Sequence, residues 1–225
     1  MYIFKTLLCL WLALLISGCA QNMALTKEQS SLDLSEKSIA LLSVRVSNRN
    51  KPSFQPEIKN ALIVPKDGIT NTSYLFMVGD PYKETDDYKD YLLSFSLEPG
   101  MHHFRWIGVV YQTVPLIAAG CNINLDMKKD IKPKSVVYLG HIDAVIREKK
   151  NGESTNCPLL PLIDQAVAGF STGVLDVTIT DNFASDKNLF YSAFPSLKNV
   201  TIDKSILPAW KNKDNEYNSD IDQAQ

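Results

Sequence analysis

Residues 91–112 read YLLSFSLEPGMHHFRWIGVVYQ, and this stretch decides the fold class. Leu93, Phe95 and Leu97 alternate with Ser94 and Ser96. A period of two puts the apolar set on one face of a half-buried strand. Glu98-Pro99-Gly100 then places Pro and Gly where a type II turn takes them. His102 to Gln112 leaves the turn as a second β-prone run, rich in aromatic and β-branched residues. The pattern predicts a β-hairpin over 91–112.

The same signal recurs outward from that hairpin. Leu42, Val44 and Val46 alternate with Ser43 and Arg45. Short apolar runs at 61–64 and 74–78 are closed by Pro65 and by Gly79-Asp80-Pro81. In 121–127, Ile123, Leu125 and Met127 are expected to point inward. Residues 135–150 form the longest strand candidate. Uninterrupted alternation there puts Val136, Tyr138, Gly140, Ile142, Ala144 and Ile146 on one face, with His141 and Asp143 together on the other. Leu175, Val177 and Ile179 repeat the pattern before Asp181. Helical turns are expected only near 161–170 and 186–196. The fold class is therefore mainly β: a single antiparallel β-sandwich domain over 38–207. The polar end, 208–225, is expected to be disordered.

Composition agrees. Of 225 residues, 45% are apolar and 21% charged, which are globular proportions and exclude a disordered chain, a collagen and a coiled coil. A net charge of −2 leaves no basic surplus to hold a nucleic acid.

The N-terminus carries an address. Lys5 precedes the uncharged run Leu7 to Ile16, which is too short to span a bilayer, where about 20 residues are needed, and has the form of a secretory core. Ile16-Ser17-Gly18-Cys19 follows and resembles the lipobox of bacterial lipoproteins. The resemblance implies a signal peptide at 1–18, cleavage before Cys19, alkylation of its thiol by a diacylglyceryl group and acylation of its new amino group. It implies membrane attachment through that lipid, with 19–37 as a flexible acylated tether. In enterobacterial lipoproteins an Asp after the Cys resembles an inner-membrane retention signal. Here Ala20 follows, which implies the outer membrane, on the periplasmic side or at the cell surface.

Cys121 and Cys157 remain once Cys9 leaves with the signal and Cys19 is lipidated. An even pair in an oxidising compartment predicts a disulfide, with two buried thiols or a redox site as the alternatives. No C-x-x-C supports the redox reading. A second resemblance rests on Leu97 to His102 (LEPGMH) and Val137 to Ile142 (VYLGHI), which look like segments of uncharacterised bacterial lipoproteins with a small β-sandwich domain. Their layout is similar to the sandwich modules appended to carboxypeptidases. This resemblance implies a fold and no activity.

Three constellations could carry chemistry. Gly169-Phe170-Ser171-Thr172-Gly173 matches the serine hydrolase pattern G-x-S-x-G. That pattern needs a strand before the Ser, a helix after it and a later His, whereas a strand follows and no His occurs after His141. His102 or His103, with His141 and Asp143, could make a three-ligand metal site, although no spacing demands it. Glu84, Asp86, Asp87 and Asp90 form an acidic loop without Ca²⁺-loop order, where Tyr82 and Tyr88 could serve a partner contact. No catalytic residue, metal or cofactor is assigned. The expectation is a lipid-anchored binding or adaptor module of the cell envelope, with an envelope protein or glycan as partner. The alternative is an envelope hydrolase of cell-wall or lipid material, using a pocket near His102, His141 and Asp143.

Overall fold

A computed structural model describes residues 20–65, 73–113, 116–157 and 165–211. The chain is mainly β, and its strands form two facing sheets. The first sheet runs β1 (Ala20–Asn22), β4 (Tyr74–Met77), β3 (Glu57–Pro65), β7 (Gly100–Thr113), β8 (Leu116–Ile131). The second runs β10 (Gly173–Thr180), β9 (Val136–Glu148), β2 (Ser38–Asn48), β6 (Lys89–Leu97), β5 (Lys83–Glu84), with β11 (Ile202–Lys204) also paired to β9. Most pairs are antiparallel, as expected, but β1–β4, β2–β9 and β9–β11 are parallel. Both sheets are therefore mixed.

Alternation puts the apolar face of each sheet toward the other. Phe95 of β6 meets Phe76 of β4 with ring centroids 5.0 Å apart and Phe104 of β7 at 6.2 Å, both edge to face. This geometry suits aromatic quadrupoles. A second apolar layer lies outside the β2–β9 sheet. There α1 (Phe183–Ala193), the 3₁₀ turn Pro195–Leu197 and Leu25 cover Ile39, Leu41, Val136 and Tyr138.

The hairpin expected over 91–112 is not formed. β6 pairs with β2, and β7 pairs with β3 and β8, so the Glu98-Pro99 connection crosses from one sheet to the other. A Pro-Gly pair favours a type II turn, whose twist opposes that of paired strands and splays them. Here the splay becomes a crossing, and Gly100 takes the φ of +123° that it requires. The true long hairpin is β7–β8.

Nor does β9 alternate without interruption. Leu41 pairs with Tyr138 but Ser43 pairs with His141, so β9 spends one more residue than β2. The irregularity sits at Gly140, φ +124°. Before it Val137 and Leu139 face the inter-sheet core; after it Ile142, Ala144 and Ile146 do. The bulge thus places Tyr138 and His141, three residues apart, on the same outer face.

Cys121 of β8 and Cys157, beyond β9, lie at disulfide distance, with Cα atoms 4.9 Å apart. Beside Cys157, Asn156 makes two backbone hydrogen bonds with Leu175, donating to its carbonyl and accepting from its N–H, at 2.8 and 2.7 Å. The cysteine pair therefore ties β8 of one sheet to the margin of the other.

Residues 20–25, expected within the tether, lie against the domain. Ala20–Asn22 pair with Leu75–Met77, the Ala24 N–H donates to Ser94 O, and Leu25 is 3% exposed. At the other end Trp210 Nε1 donates to Asn124 O at 2.7 Å, so packing continues past residue 207. The signal segment with Cys19, and residues 212–225 of the expected tail, lie outside the described residues.

Candidate binding site

The outer face of the β2–β9 sheet has two halves. One lies under α1 and its apolar cluster. The other is polar, because β2 carries Ser43, Arg45 and Ser47 there and β9 carries His141 and Asp143; the two serines are buried, while Arg45, His141 and Asp143 are half-buried. Ser43 pairs with His141 and Arg45 with Asp143 across the ladder, so the four side chains form two rungs.

Arg45 is held by two partners, Asp90 and Tyr88. Its Nε and Nη2 donate to the two carboxylate oxygens of Asp90 at 2.7 and 2.9 Å, a bidentate geometry. The Tyr88 ring lies 3.8 Å from its guanidinium carbon. The Asp90 hydrogen bonds, with further help from its charge and that of Asp143, raise the guanidinium above its ordinary value against some desolvation. Arg45 is a permanent, oriented cation at the centre of the face.

Beside it opens a cleft of about 370 Å³ between Arg45, Arg49, Gln55, Asp87, Tyr88 and Asp143. Its far wall is rigid for a reason visible in the chain. Asn48, 1% exposed, donates to Phe54 O and Ala168 O and accepts from the Lys51 N–H, while Gln55 accepts from the Asn48 N–H. These bonds satisfy a buried amide and hold the 49–55 loop in place. Asp143 lines the cleft, and its Oδ1 is buried beneath the surface and meets no hydrogen-bond donor among the described residues.

On the other side of Arg45 lies a smaller cavity of about 250 Å³, reached by Ser43, Tyr82, His141 and Asp186. Asp186, in the first turn of α1, sits 4% exposed and accepts from the Tyr138 hydroxyl at 2.6 Å and from the Ser43 hydroxyl. His141 Nδ1 lies 2.9 Å from Ser43 Oγ and 3.8 Å from Asp186 Oδ2. Burial, then the Asp186 bond, push the Tyr138 phenol well above its ordinary range. The three residue types of a hydrolytic triad are present, but the order differs. Ser43 stands between the acid and the imidazole, whereas in a relay the imidazole stands between the acid and the nucleophile. The arrangement clamps α1 onto the sheet.

The residues singled out from sequence separate. His141 and Asp143 share a face, as expected. His102 belongs to the opposite sheet, is 2% exposed, and bonds Glu98 O through Nε2 at 2.7 Å. Its neighbour His103 contacts Asp126 on the outer side of that sheet. The three histidines do not converge, and no cluster of metal-ligating side chains occurs among the described residues. Ser171 lies in the turn that feeds β10, with the strand after it. The acidic run divides. Asp90 is on β6 holding Arg45, Glu84 pairs with Lys89, and Asp87 lines the cleft. Of the two tyrosines, Tyr88 stacks on Arg45 and Tyr82 is exposed.

Sequence reasoning missed Arg45, Ser43 and Asp186 as site residues. A lone Arg in the apolar strand 38–48 was the available signal for the first. Nothing local marks Ser43 and Asp186, which are 143 residues apart. No family model, no curated protein and no solved structure matches the chain.

Proposed function

We propose that this protein is an acylated envelope lipoprotein that works as a binding or adaptor module and uses the polar outer face of the β2–β9 sheet as its recognition surface. The observation that carries the reading is Asp143 Oδ1. It is a buried acceptor left without a donor, beside a fixed arginine, in a cleft walled by a rigid loop. A buried polar atom of this kind forfeits on the order of 1–3 kcal/mol unless a partner satisfies it. A ligand or partner that opens the cleft far enough to bring a donor to Asp143 Oδ1 recovers that loss. The lipobox resemblance at 16–19 supports an envelope location, and no described helix is long and apolar enough to cross a membrane.

The test is photo-cross-linking in cells with a photoreactive amino acid in place of Arg49, which lines the cleft. The same amino acid in place of Lys128, on β8, serves as control. One dominant adduct from position 49, lost in Asp143→Asn and in the mislocalised Cys19→Ala chain, is the expected result. The same diffuse set of adducts from both positions would remove the reading.

A hydrolase is the second reading, and the cavity at Ser43, His141 and Asp186 is what favours it. Ser43→Ala and His141→Ala abolish turnover of cell-wall or lipid substrates in that case, and leave the cross-linked adduct intact if the first reading holds.

A further inference from the structure

Three large apolar side chains stand well exposed among the described residues: Met77 and Tyr82, each 43%, and Val167, 58%. Two of the three flank one groove. This groove, about 440 Å³, runs between the N-terminal segment and the end of β4, lined by Met23, Met77, Val78, Pro81, Tyr82 and Phe194. The chain reaches it directly from its N-terminal side. Ala20, Gln21 and Asn22 pair with Leu75, Phe76 and Met77 as the edge strand of the sheet. The path then crosses to the second sheet, where the Ala24 and Leu25 N–H groups donate to the Ser94 carbonyl and hydroxyl at 2.8 and 3.0 Å. Six residues are thereby held to both sheets, and no slack is left between residue 20 and the domain.

We infer that the β1–β4 edge is a membrane-apposed surface, with Met77 and Tyr82 seated in the interface of a lipid bilayer and the domain held flush against it. This rests on acylation of Cys19, proposed above. Cys19 precedes Ala20, and an extended chain covers about 3.3–3.6 Å per residue, so the lipid attachment lies within about 10 Å of the Met77 register. The diacylglyceryl group sits at headgroup level, and a strand edge this close must sit there too. Tyr suits that depth because its ring is apolar and its hydroxyl is wet. The groove's charged members are Lys27 and Asp80, one of each sign. That balance fits a zwitterionic lipid surface, without the basic cluster that would select an anionic one.

The experiment uses the full-length protein, expressed in its host, purified with its lipid and reconstituted into phosphatidylethanolamine–phosphatidylcholine vesicles. Met77→Cys, Tyr82→Cys and Lys128→Cys chains each carry one fluorophore, and nitroxide-labelled lipids quench it. β8 is the opposite edge of the sheet, four strand spacings or about 19 Å from β1. Quenching is expected to be severalfold stronger at 77 and 82 than at 128, and unchanged when anionic lipid or salt is added. Intact mass measured on the same samples reports the acyl groups. Acylated protein with equal quenching at all three positions overturns this inference alone. An unacylated chain overturns it together with the lipoprotein reading. A label at 77 that is shielded without vesicles and poorly quenched with them puts the protein's own acyl chain in the groove, and also overturns it.

Discussion

Replacing Gly140 by Ala tests whether the bulge in β9 builds the recognition face. Gly140 has φ +124°, a region that residues with a Cβ avoid at a strain of about 1–3 kcal/mol. An added Cβ would also meet Ile206 Cγ2 at 3.2 Å, and Ile179 Cγ2 and Thr180 O at 3.3 Å. Slipping the register instead would turn His141 and Asp143 into the apolar core, which is costlier still. Strain and crowding together give about 3 kcal/mol. With a urea m-value of about 2 kcal/mol/M for a domain of this size, the midpoint falls by about 1.5 M. Two other glycines separate the contributions. Gly100 has φ +123° with nothing within 4 Å of the added Cβ, so Gly100→Ala reports strain alone. Gly79 has neither the positive φ nor a near neighbour, so Gly79→Ala should leave the midpoint nearly unchanged. Urea melts followed by tryptophan fluorescence should rank the losses 79, 100, 140, smallest first. A Gly140→Ala midpoint indistinguishable from that of Gly79→Ala would refute the argument.

Reducing the Cys121–Cys157 pair, separated by 36 residues, should lower stability by up to about 4 kcal/mol on the loop-entropy estimate. Melts with and without reductant measure it, and coincident curves would contradict it. Asp186→Asn weakens the acceptor shared by Ser43 and Tyr138 and should cost about 1–3 kcal/mol, with faster amide exchange across 183–193 than across β2. Uniform exchange in both elements would show that the carboxylate does not hold the helix. Glu57 is held below its ordinary 4.5 by the hydrogen bond from Lys59, then by that from Lys89. The unfolded chain therefore binds this proton more readily. The stabilisation is complete above about pH 5 and is lost as pH falls through the lower folded value. Glu57→Gln should flatten the stability profile in that acid range, and an unchanged slope would discount the pair.

Much of the strand content was legible because one face of each strand is buried. Leu93, Phe95, Leu97 and Ile123, Leu125, Met127 alternate in the sequence and are buried in the structure. Sheet membership was not legible. A Pro-Gly turn reads alike whether its two strands lie side by side or cross between sheets, and only the partners β2 and β3 distinguish the cases. The break in β9 had a marker, a glycine inside a strand pattern, but the face it re-aims depends on register against β2. The β1 pairing was invisible, since three polar or small residues carry no period. Within the candidate site, the shared face of His141 and Asp143 followed from their spacing. Their closeness to Arg45, Ser43 and Asp186 is a property of the folded sheet and of no local segment.

The parallel β2–β9 pair sets an order of events. Ser43 and His141, which it brings together, are 98 residues apart in the chain. Every strand of the β7-containing sheet is finished by residue 131, and two of its four pairings, β3–β4 and β7–β8, join strands consecutive in the chain. Those two hairpins can zip locally while β2, whose run Ile39 to Leu42 is apolar on both faces, still lacks the partner on one side. Long-range pairing of this kind slows folding and prolongs the exposure of an unpaired hydrophobic edge. A chain delivered N-terminus first would present that edge to its surroundings until nearly 150 residues had emerged. Its need for a holding chaperone should therefore be concentrated in β2, and the arrival of β9 should end it.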